Sequence, residues 1–284
     1  MNTSKENTDH NRAHYNKVYK DVRIDNILNK MSRVNDFLDE AASTDTSWVC
    51  MYKENFREYL KGKKVLELGC GDCTNAAVMS ALGANVWAND ISDESGQIIE
   101  KLNKNLPDNK KINFISGNFL ETDLASNFFD VVVGKAFVHH LTHAQEKKFI
   151  EKIVTILRPE GLVRFVEPAI NSKILDTLRW MVPMDNRPSS LQKRKFKIWK
   201  ELDPHPEREN SGKHYQQIGA IYFEYVNIYS VGMIERFYRF FPSAKWSRRF
   251  RKKALAFERY LPKSLRDVFA RTQTIEYVFP KKVQ

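Results

Sequence analysis

Short apolar runs alternate along the middle of the chain with stretches in which apolar residues recur every three or four positions. The runs are bounded by glycine or polar residues and predict buried β-strands, whereas the three-to-four spacing predicts amphipathic helices. The predicted strands are residues 64–68, 84–90, 111–115, 129–133 and 162–166, and the helices between them are residues 75–82, 94–104 and 144–157.

Further elements flank this alternation. Residues 22–42 and 46–60 carry the helical spacing, whereas residues 1–14 are polar and are predicted to be mobile. Residues 220–231 and 272–279 are predicted strands. Strands that alternate with helices at this spacing form a parallel sheet with helices on both faces. We therefore predict an α/β fold with a doubly wound, mostly parallel sheet.

The composition is that of a globular protein. Apolar residues make up 42% and charged residues 29% of the 284 positions, which is enough apolar material for an ordinary core. Three cysteines, Cys50, Cys70 and Cys73, cannot form the disulfide framework of a secreted scaffold. No apolar run approaches the length of a membrane-spanning helix, and the N-terminus lacks the apolar core of a secretory signal. We expect a cytoplasmic protein.

The positive charge is concentrated in one segment. The chain carries a net charge of +11, and residues 231–284 alone hold 14 basic and four acidic residues. Aromatic and aliphatic residues recur there at helical spacing between the arginines and lysines, as in helices that lie on an anionic surface. Residues 232–271 are therefore predicted to form helices that contact an anionic membrane or an anionic acceptor. A solubilising charged face is the alternative.

A glycine-containing turn follows the first predicted strand and leads into a helix. Gly69 and Gly71 permit a tight turn and a close approach of the backbone to a ligand. Asp90 ends the second strand, where a carboxylate can bind both hydroxyls of a ribose. Asn118 and Phe119 follow the third strand, where an amide can meet an adenine edge and a ring can pack on its face. The order of these residues predicts a nucleotide-type ligand.

In these motifs the sequence resembles the class I S-adenosylmethionine-dependent methyltransferases, most nearly the branch that contains the ubiquinone and menaquinone methylases. The resemblance covers about residues 60–168, and the matching segments are residues 65–71, 87–90, 117–119, 129–141 and 157–161. It implies a seven-stranded Rossmann-like sheet and S-adenosyl-L-methionine as cofactor. The cofactor-binding residues that it implies are Glu67, Gly69, Cys70, Gly71, Asp90, Ile91, Asn118, Phe119 and Lys135.

A nicotinamide-dinucleotide oxidoreductase is the competing interpretation of the glycine turn. Its fingerprint has a third glycine where Thr74 stands, and a small or apolar residue in the place of Glu67. A carboxylate repels a pyrophosphate but favours a ligand with sulfonium and ammonium charges. The chain also departs from the methyltransferase pattern, with Cys73 in place of a frequent third glycine and Asn118 in place of the usual aspartate. The carbonyl oxygen of Asn118 still offers an acceptor to an adenine amino group.

Two adjacent histidines, His139 and His140, follow the fourth strand at the ligand-binding edge of the sheet. Methyl transfer to a hydroxyl needs a group that accepts its proton, and an imidazole does so near neutral pH. We predict a catalytic role for either residue, with His140 ahead; the alternative is a histidine that shapes the pocket. Cys70 and Cys73 are interpreted as packing residues of the turn. A zinc site would need a second pair of ligands, so no metal is predicted.

Residues 169–218 form an insertion between the fifth and sixth strands, where the resembled family builds its acceptor pocket. A polar, proline-flanked part of this insertion contains His205, Arg208, His214 and Tyr215, which we predict to bind the acceptor. The remaining predicted parts of the single structural domain are helices at 1–60 that cap the cofactor site, a cofactor-binding core at 61–168, and the last strands with a basic helical insertion at 219–284.

The acceptor is predicted to be a small molecule, anionic or lipid-like, methylated on oxygen or nitrogen. Nucleic acid is disfavoured, because Gly-Lys-Ala-Phe follows the fourth strand in place of the Asn/Asp-Pro-Pro-Tyr/Phe of base-amino methylases, and because no cysteine follows Cys73. Two alternatives stay open. One is a non-catalytic, cofactor-binding partner protein, and the other is a peripheral-membrane methyltransferase of lipids or quinones.

Overall fold

A single mixed β-sheet organises the chain. The computed structural model describes residues 4–183, 187–201, 206–241 and 243–281, with the side chains of all of these except 4–10 and 239. The strands in these residues are β1 (Lys64–Leu68), β2 (Asn85–Asp90), β3 (Asn113–Ser116), β4 (Phe129–Lys135), β5 (Leu157–Pro168), β6 (Phe223–Val231) and β7 (Thr272–Pro280). Their order in the sheet is β3-β2-β1-β4-β5-β7-β6. Strands β1 to β5 are parallel, and β7 runs antiparallel to both β5 and β6. The predicted fold class is confirmed.

Helices cover both faces of the sheet. They are α1 (Ser4–Tyr19), α2 (Ile24–Ser32), α3 (Val34–Thr44), α4 (Thr46–Met51), α5 (Phe56–Tyr59), α6 (Thr74–Ala81), α7 (Asp93–Asn103), α8 (His143–Ile156), α9 (Lys173–Met181), α10 (Lys193–Glu201), α11 (Gly212–Tyr222), α12 (Ala244–Glu258) and α13 (Lys263–Phe269). Because side chains alternate along a strand, Val65 and Val131 enter one core with α2–α4, α6 and α7. Leu66 and Val132 enter the other core with α8 and α11.

The N-terminal part of the fold differs from the prediction. Residues 4–19 form helix α1, although the sequence predicted a mobile segment over 1–14. The predicted helix 22–42 is two helices, because Arg33 leaves the helical conformation with φ −127° and ψ 47°. The predicted helix 46–60 is likewise divided into α4 and α5.

Three further predictions are refined near the last strands. The fifth strand, predicted as residues 162–166, is longer: residues 158–161 also lie inside β5, whose pairing with β4 shifts register between Phe129 and Val131. Helix α11 extends to Tyr222, so the sixth strand starts at Phe223 rather than at 220. Residues 232–271 contain a 3-10 turn, Glu235–Phe240, followed by α12 and α13.

The order of the strands reverses at β1, and this reversal places a crevice beside β1. Strand β1 pairs with β2 on one side and with β4 on the other, so the connections after β1 and β4 leave toward opposite faces. Ligands of open α/β sheets bind at such a point, outside the carboxyl ends of the strands.

No helix in the described parts of the chain combines the length and the apolar character needed to cross a lipid bilayer.

Candidate active site

A cavity of about 600 Å³ lies at the carboxyl ends of β1, β2 and β4. All nine predicted cofactor-binding residues line it, and so does His140. Further wall residues, none of which the sequence motifs single out, include Asn11, Tyr15, Val18 and Tyr19 of α1, Val22 before α2, and Gln145 and Phe149 of α8. His139, Arg208, His214 and Tyr215 lie outside the lining, and His205 lies outside the described residues.

Glycine is needed at two positions of the turn, because an aromatic side chain lies against each of them. A Cβ atom on Gly69 would lie 2.3 Å from Cδ2 of Phe137, and one on Gly71 would lie 2.8 Å from the hydroxyl of Tyr19. Both glycines also have positive φ, +64° and +56°, which disfavours a side chain there. The turn therefore joins the loop after β4 and helix α1 into one cavity wall.

Glu67 on β1 is a buried carboxyl group with one unused oxygen. Its Oε1 accepts a hydrogen bond from Nδ2 of Asn75 at 2.7 Å, whereas its Oε2 has no hydrogen-bond partner among the described residues. Burial raises the pKa of Glu67 to about 8, against the opposing effects of Asn75 and the charge of Lys135. A cationic ligand in the cavity would stabilise the ionised carboxylate.

Asp90 at the end of β2 holds the turn and the following loop together. Its Oδ2 accepts a hydrogen bond from the backbone N–H of Gly71, and its Oδ1 accepts one from the backbone N–H of Ser92, both at 2.8 Å. Burial raises the pKa of Asp90, while these backbone donors oppose that shift. The remaining lone pairs of the carboxylate suit neutral hydroxyl donors such as those of a ribose. Ile91 lines the cavity beside it.

Asn118 and Phe119 form the turn after β3. The side-chain oxygen of Asn118 accepts the backbone N–H of Leu120, and its Nδ2 donates to Glu121. Phe119 is almost completely buried, and its ring packs against Phe149 with centroids 5.1 Å apart. Lys152 fixes the turn from outside by donating to the backbone oxygen of Phe119 at 2.6 Å.

Helix α1 is fastened to the loop after β2 by hydrogen bonds that no local sequence pattern predicts. Asn16 accepts hydrogen bonds through Oδ1 from the hydroxyl of Ser92 and the backbone N–H of Asp93. Arg12 donates through Nε to the backbone oxygen of Ile91 at 3.0 Å. Helix α1 is polar, so its apolar pattern is weak, and its position is fixed by tertiary contacts such as these and by its aromatic residues.

Glu167 at the end of β5 organises the loop that carries the two histidines. Its Oε1 accepts the backbone N–H groups of Phe137 and Val138 at 2.9 and 2.6 Å. Its Oε2 lies 2.6 Å from Nδ1 of His139, whose backbone N–H also points to it at 3.3 Å. The side chain of Glu167 is completely buried. Glu167 is not among the predicted site residues; an acidic residue at the carboxyl end of a strand is the signal in the sequence that could have identified it.

His140 faces the cavity across from α1. Its Nε2 lies 3.2 Å from the hydroxyl of Tyr15, and the two rings meet edge to face with centroids 5.6 Å apart. The ring of Tyr15 also stacks on that of Tyr19. Lys135 places its ammonium group 4.5 Å from the ring centroid of Trp48. A titratable imidazole, a phenol and an ammonium group thus approach one cavity that also contains the cofactor motifs.

Arg208 and His214 of the insertion, which were predicted to bind the acceptor, lie outside the cavity and next to the loop that carries His140. Arg208, with a side chain only 1% exposed, donates through Nη1 to the backbone oxygens of Val138 and Leu141, both at 2.9 Å. Its Nη2 donates to Oε2 of Glu146 at 2.7 Å, the oxygen that also faces His214. The structure therefore gives Arg208 and His214 a position that supports the 138–141 loop.

Tyr215 lies deeper still and is fully buried. Its hydroxyl donates to the side-chain oxygen of Asn210, and its ring is out of reach of the cavity. His143, Glu146 and His214 present ligand atoms at a spacing that a metal ion could use. The guanidinium group of Arg208 already supplies positive charge to Glu146 there.

Cys70 and Cys73 are buried free thiols with their sulfur atoms 3.7 Å apart. Burial raises the pKa of Cys70, and a thiol whose pKa is raised by burial is a poor nucleophile, as expected for a packing residue.

Comparisons with known proteins agree on the type of domain. Residues 66–165 match the family model of a methyltransferase domain. The fold is similar to that of an S-adenosylmethionine-dependent methyltransferase from Archaeoglobus fulgidus, with 15% identity and a TM-score of 0.52 over 82% of this chain and 93% of that one. It is also similar to phosphoethanolamine N-methyltransferase 2 of Haemonchus contortus in complex with S-adenosyl-L-methionine, with 14% identity and a TM-score of 0.50 over 80% and 53% of the two chains. Among curated proteins, sequence comparison finds no match.

Proposed function

We propose that the protein, which is an S-adenosylmethionine-dependent methyltransferase of class I, methylates an oxygen or nitrogen atom of a small, partly apolar molecule. The observation that carries the proposal is the shared cavity: the cofactor motifs and His140 line the same 600 Å³ space. The resemblance to the ubiquinone and menaquinone methylases supports an acceptor with an apolar or aromatic part.

The cavity offers hydrogen-bond acceptors that suit the cofactor. The unused Oε2 of Glu67 is an acceptor for an ammonium group, and Asp90 keeps lone pairs for hydroxyl groups. The bound cofactor supplies an activated methyl group together with its thioether leaving group. The work left to the protein is to hold the acceptor in line and to remove its proton where it is a hydroxyl.

We assign proton removal to His140, because it is the histidine that lines the cavity. The hydroxyl of Tyr15 orients its ring at 3.2 Å. His139 is held by Glu167 at 2.6 Å and lies outside the lining, so it acts as a positioning residue for the loop. Arg208 supports the same loop through the backbone oxygens of Val138 and Leu141.

The small size of the acceptor is supported by helix α1. Its residues Tyr15, Val18 and Tyr19 form part of the cavity wall, and Asn16 fastens the helix to the loop after β2. A cavity walled on this side by an anchored helix favours a small molecule over a folded macromolecule. The aromatic and aliphatic character of these residues, together with that of Phe137 and Phe149 in the same lining, suits an apolar acceptor.

The test is a search for the acceptor with the purified protein. The protein is incubated with a cell metabolite extract and with S-adenosylmethionine carrying an isotopically labelled methyl group, and products that gain the label are found by mass spectrometry. The proposal expects a labelled small molecule whose formation is lost in His140→Ala. Labelling of nucleic acid or protein, with no labelled small molecule, would contradict it.

A further inference from the structure

Helices α9 and α10 leave aliphatic side chains in water. We refer to residues 173–201, which contain both helices, as the α9–α10 segment. Neither helix contains a buried residue. Ile174 and Leu178 stand four positions apart on one face of α9 and are 75% and 52% exposed. Leu191, just before α10, and Ile198, within it, are 68% and 52% exposed. Exposed aliphatic residues grouped in this way mark an interaction surface.

The two helices that carry these exposed side chains pack against each other. The ring of Trp180 packs against Phe196 and Trp199, with centroids 5.5 and 5.9 Å apart, so the aromatic residues join the two helices. Arg187, which is buried, donates to the backbone oxygens of Arg179 and Val182 and closes the end of α9. The aromatic residues face inward between the helices while the aliphatic ones face water.

The same segment carries positive charge that the protein leaves uncompensated. Residues 173–201 hold eight basic and three acidic residues. Lys193, Arg194, Lys195 and Lys197 form no ion pair or hydrogen bond with any described residue, whereas Lys200 pairs with a glutamate. Four unpaired cations therefore lie on the helix that also exposes Ile198. The charge of this segment is hidden in the net charge of the first 230 residues, because acidic residues elsewhere balance it, so the predicted basic region was residues 231–284 alone.

We propose that the α9–α10 segment docks on an anionic phospholipid bilayer, with its aliphatic side chains among the acyl chains and its lysines at the phosphate groups. An anionic bilayer is the partner that satisfies both features at once. Nucleic acid or an acidic protein surface would pair the cations and leave Ile174 and Leu178 in water. The proposal does not depend on which acceptor is methylated.

The electrostatic part is tested by co-sedimentation of the full chain with vesicles. Vesicles of phosphatidylcholine alone are compared with vesicles of phosphatidylcholine and phosphatidylglycerol in equal parts, at low and high salt. We expect retention on the anionic vesicles only, weakened by salt. Lys195→Glu/Lys197→Glu should reduce the partition coefficient at least about tenfold, since each basic residue near an anionic surface contributes about fivefold.

The matched control changes the same charges on another helix. Lys252→Glu/Lys253→Glu alters two exposed lysines of α12, within the segment that the sequence analysis predicted to contact an anionic surface. We expect this variant to keep most of the retention. Binding of S-adenosylhomocysteine, measured by calorimetry, should be unchanged in both variants and shows that they are folded.

The apolar part is tested with a fluorescent probe. Because the three natural cysteines are buried, an introduced cysteine can be labelled selectively with a polarity-sensitive dye. The dye on Ile198→Cys should shift to an apolar environment when anionic vesicles are added, and the dye on Lys253→Cys should not. The Ile174→Ser/Leu178→Ser variant should lose retention while its charge is unchanged.

Four results would overturn the proposal. The first is no retention on anionic vesicles. The second is an equal or greater loss in the α12 variant than in the α10 variant. The third is retention without any change of the Ile198→Cys dye. The fourth is equally tight binding to a soluble polyanion such as heparin together with an unshifted dye, which would assign the cations to nucleic acid or another polyanion.

Discussion

Nδ1 of His139 lies 2.6 Å from Oε2 of Glu167, a carboxylate that also accepts backbone N–H groups of Phe137 and Val138 through its other oxygen. One completely buried side chain at the end of β5 thus fixes the course of the loop that presents His140 to the cavity. Buried carboxylates that accept several hydrogen bonds are costly to alter, because each lost acceptor strands a donor.

Replacing Glu167 tests this role. In Glu167→Gln the amide nitrogen takes the place of one acceptor oxygen and faces N–H donors. We expect a loss of about 1–3 kcal/mol in the free energy of unfolding, the range for a stranded buried donor, and a lower kcat with a nearly unchanged Kd for S-adenosylhomocysteine. Denaturant titration and calorimetry measure the two quantities. A variant with unchanged kcat would show that the loop does not need this carboxylate.

His140 is expected to contribute to the chemical step. If the acceptor is a hydroxyl, His140→Ala should lower turnover by about 10²–10⁴, the usual contribution of a general base. His143→Ala is the matched control, because His143 is a neighbouring histidine outside the cavity lining. Single-turnover rates with the labelled cofactor measure both. A loss below about tenfold in His140→Ala would return His140 to a pocket-shaping role.

Glu67 should couple cofactor binding to proton release. Its pKa is raised from 4.5 to about 8 by burial, so the free protein holds a proton on Glu67 at neutral pH. A cationic ligand lowers the pKa of Glu67, so binding releases the proton when the pH lies between that lowered pKa and about 8. Across this range the affinity for the ligand rises with pH by up to about tenfold per unit, and it levels off above about 8.

Calorimetry in buffers of different ionisation enthalpy measures this release, and Glu67→Gln should abolish it. The unliganded protein gives a second check. A carboxyl group with a raised pKa stabilises the fold fully below 4.5, and this contribution is lost as the pH rises through about 8. Glu67→Gln, which resembles the protonated acid, should remove that alkaline loss of stability. An unchanged pH dependence would contradict the assignment.

Asp90→Ala should weaken cofactor binding by about 1–3 kcal/mol, the range for losing hydrogen bonds to a charged group. The same change also strands the backbone N–H groups of Gly71 and Ser92, so some stability is lost with it. Glu94→Ala is a suitable control, because Glu94 lies in the first turn of α7, shortly after Asp90, and is outside the lining. Equal affinities of the two variants for S-adenosylhomocysteine would argue against a ribose contact at Asp90.

Arg208→Ala should be strongly destabilising. It leaves Glu146 buried without its arginine, and breaking a buried ion pair in this way costs about 3–5 kcal/mol. Arg158→Ala breaks the half-exposed pair with Asp130 and should cost about 0–1 kcal/mol. Denaturant unfolding compares the two. Similar losses would show that Arg208 does not hold the 138–141 loop.

The sequence predicted the parallel core well and the surroundings of the cavity poorly, for a physical reason. Strands such as β1 and β4 are buried on both faces, so they appear as continuous apolar runs, and the cofactor motifs follow at their ends. Helix α1 has no such pattern, since it is positioned by Asn16 and by the aromatic rings of Tyr15 and Tyr19. Likewise, Arg208 and Glu167 act across distant parts of the chain that no local pattern connects.

The position of β7 has a consequence for folding. Leu162 of β5 pairs with Val278 of β7, more than a hundred residues later in the sequence. Strand β6 precedes β7 in the sequence and joins the sheet by pairing with β7. Pairing of such distant segments is slow, because a long loop must close before any contact forms. Strands β1 to β5 can assemble first through shorter connections, leaving β5 with an open hydrogen-bonding edge. Until β7 inserts, that edge presents unpaired N–H and C=O groups, which favour aggregation of a newly made chain.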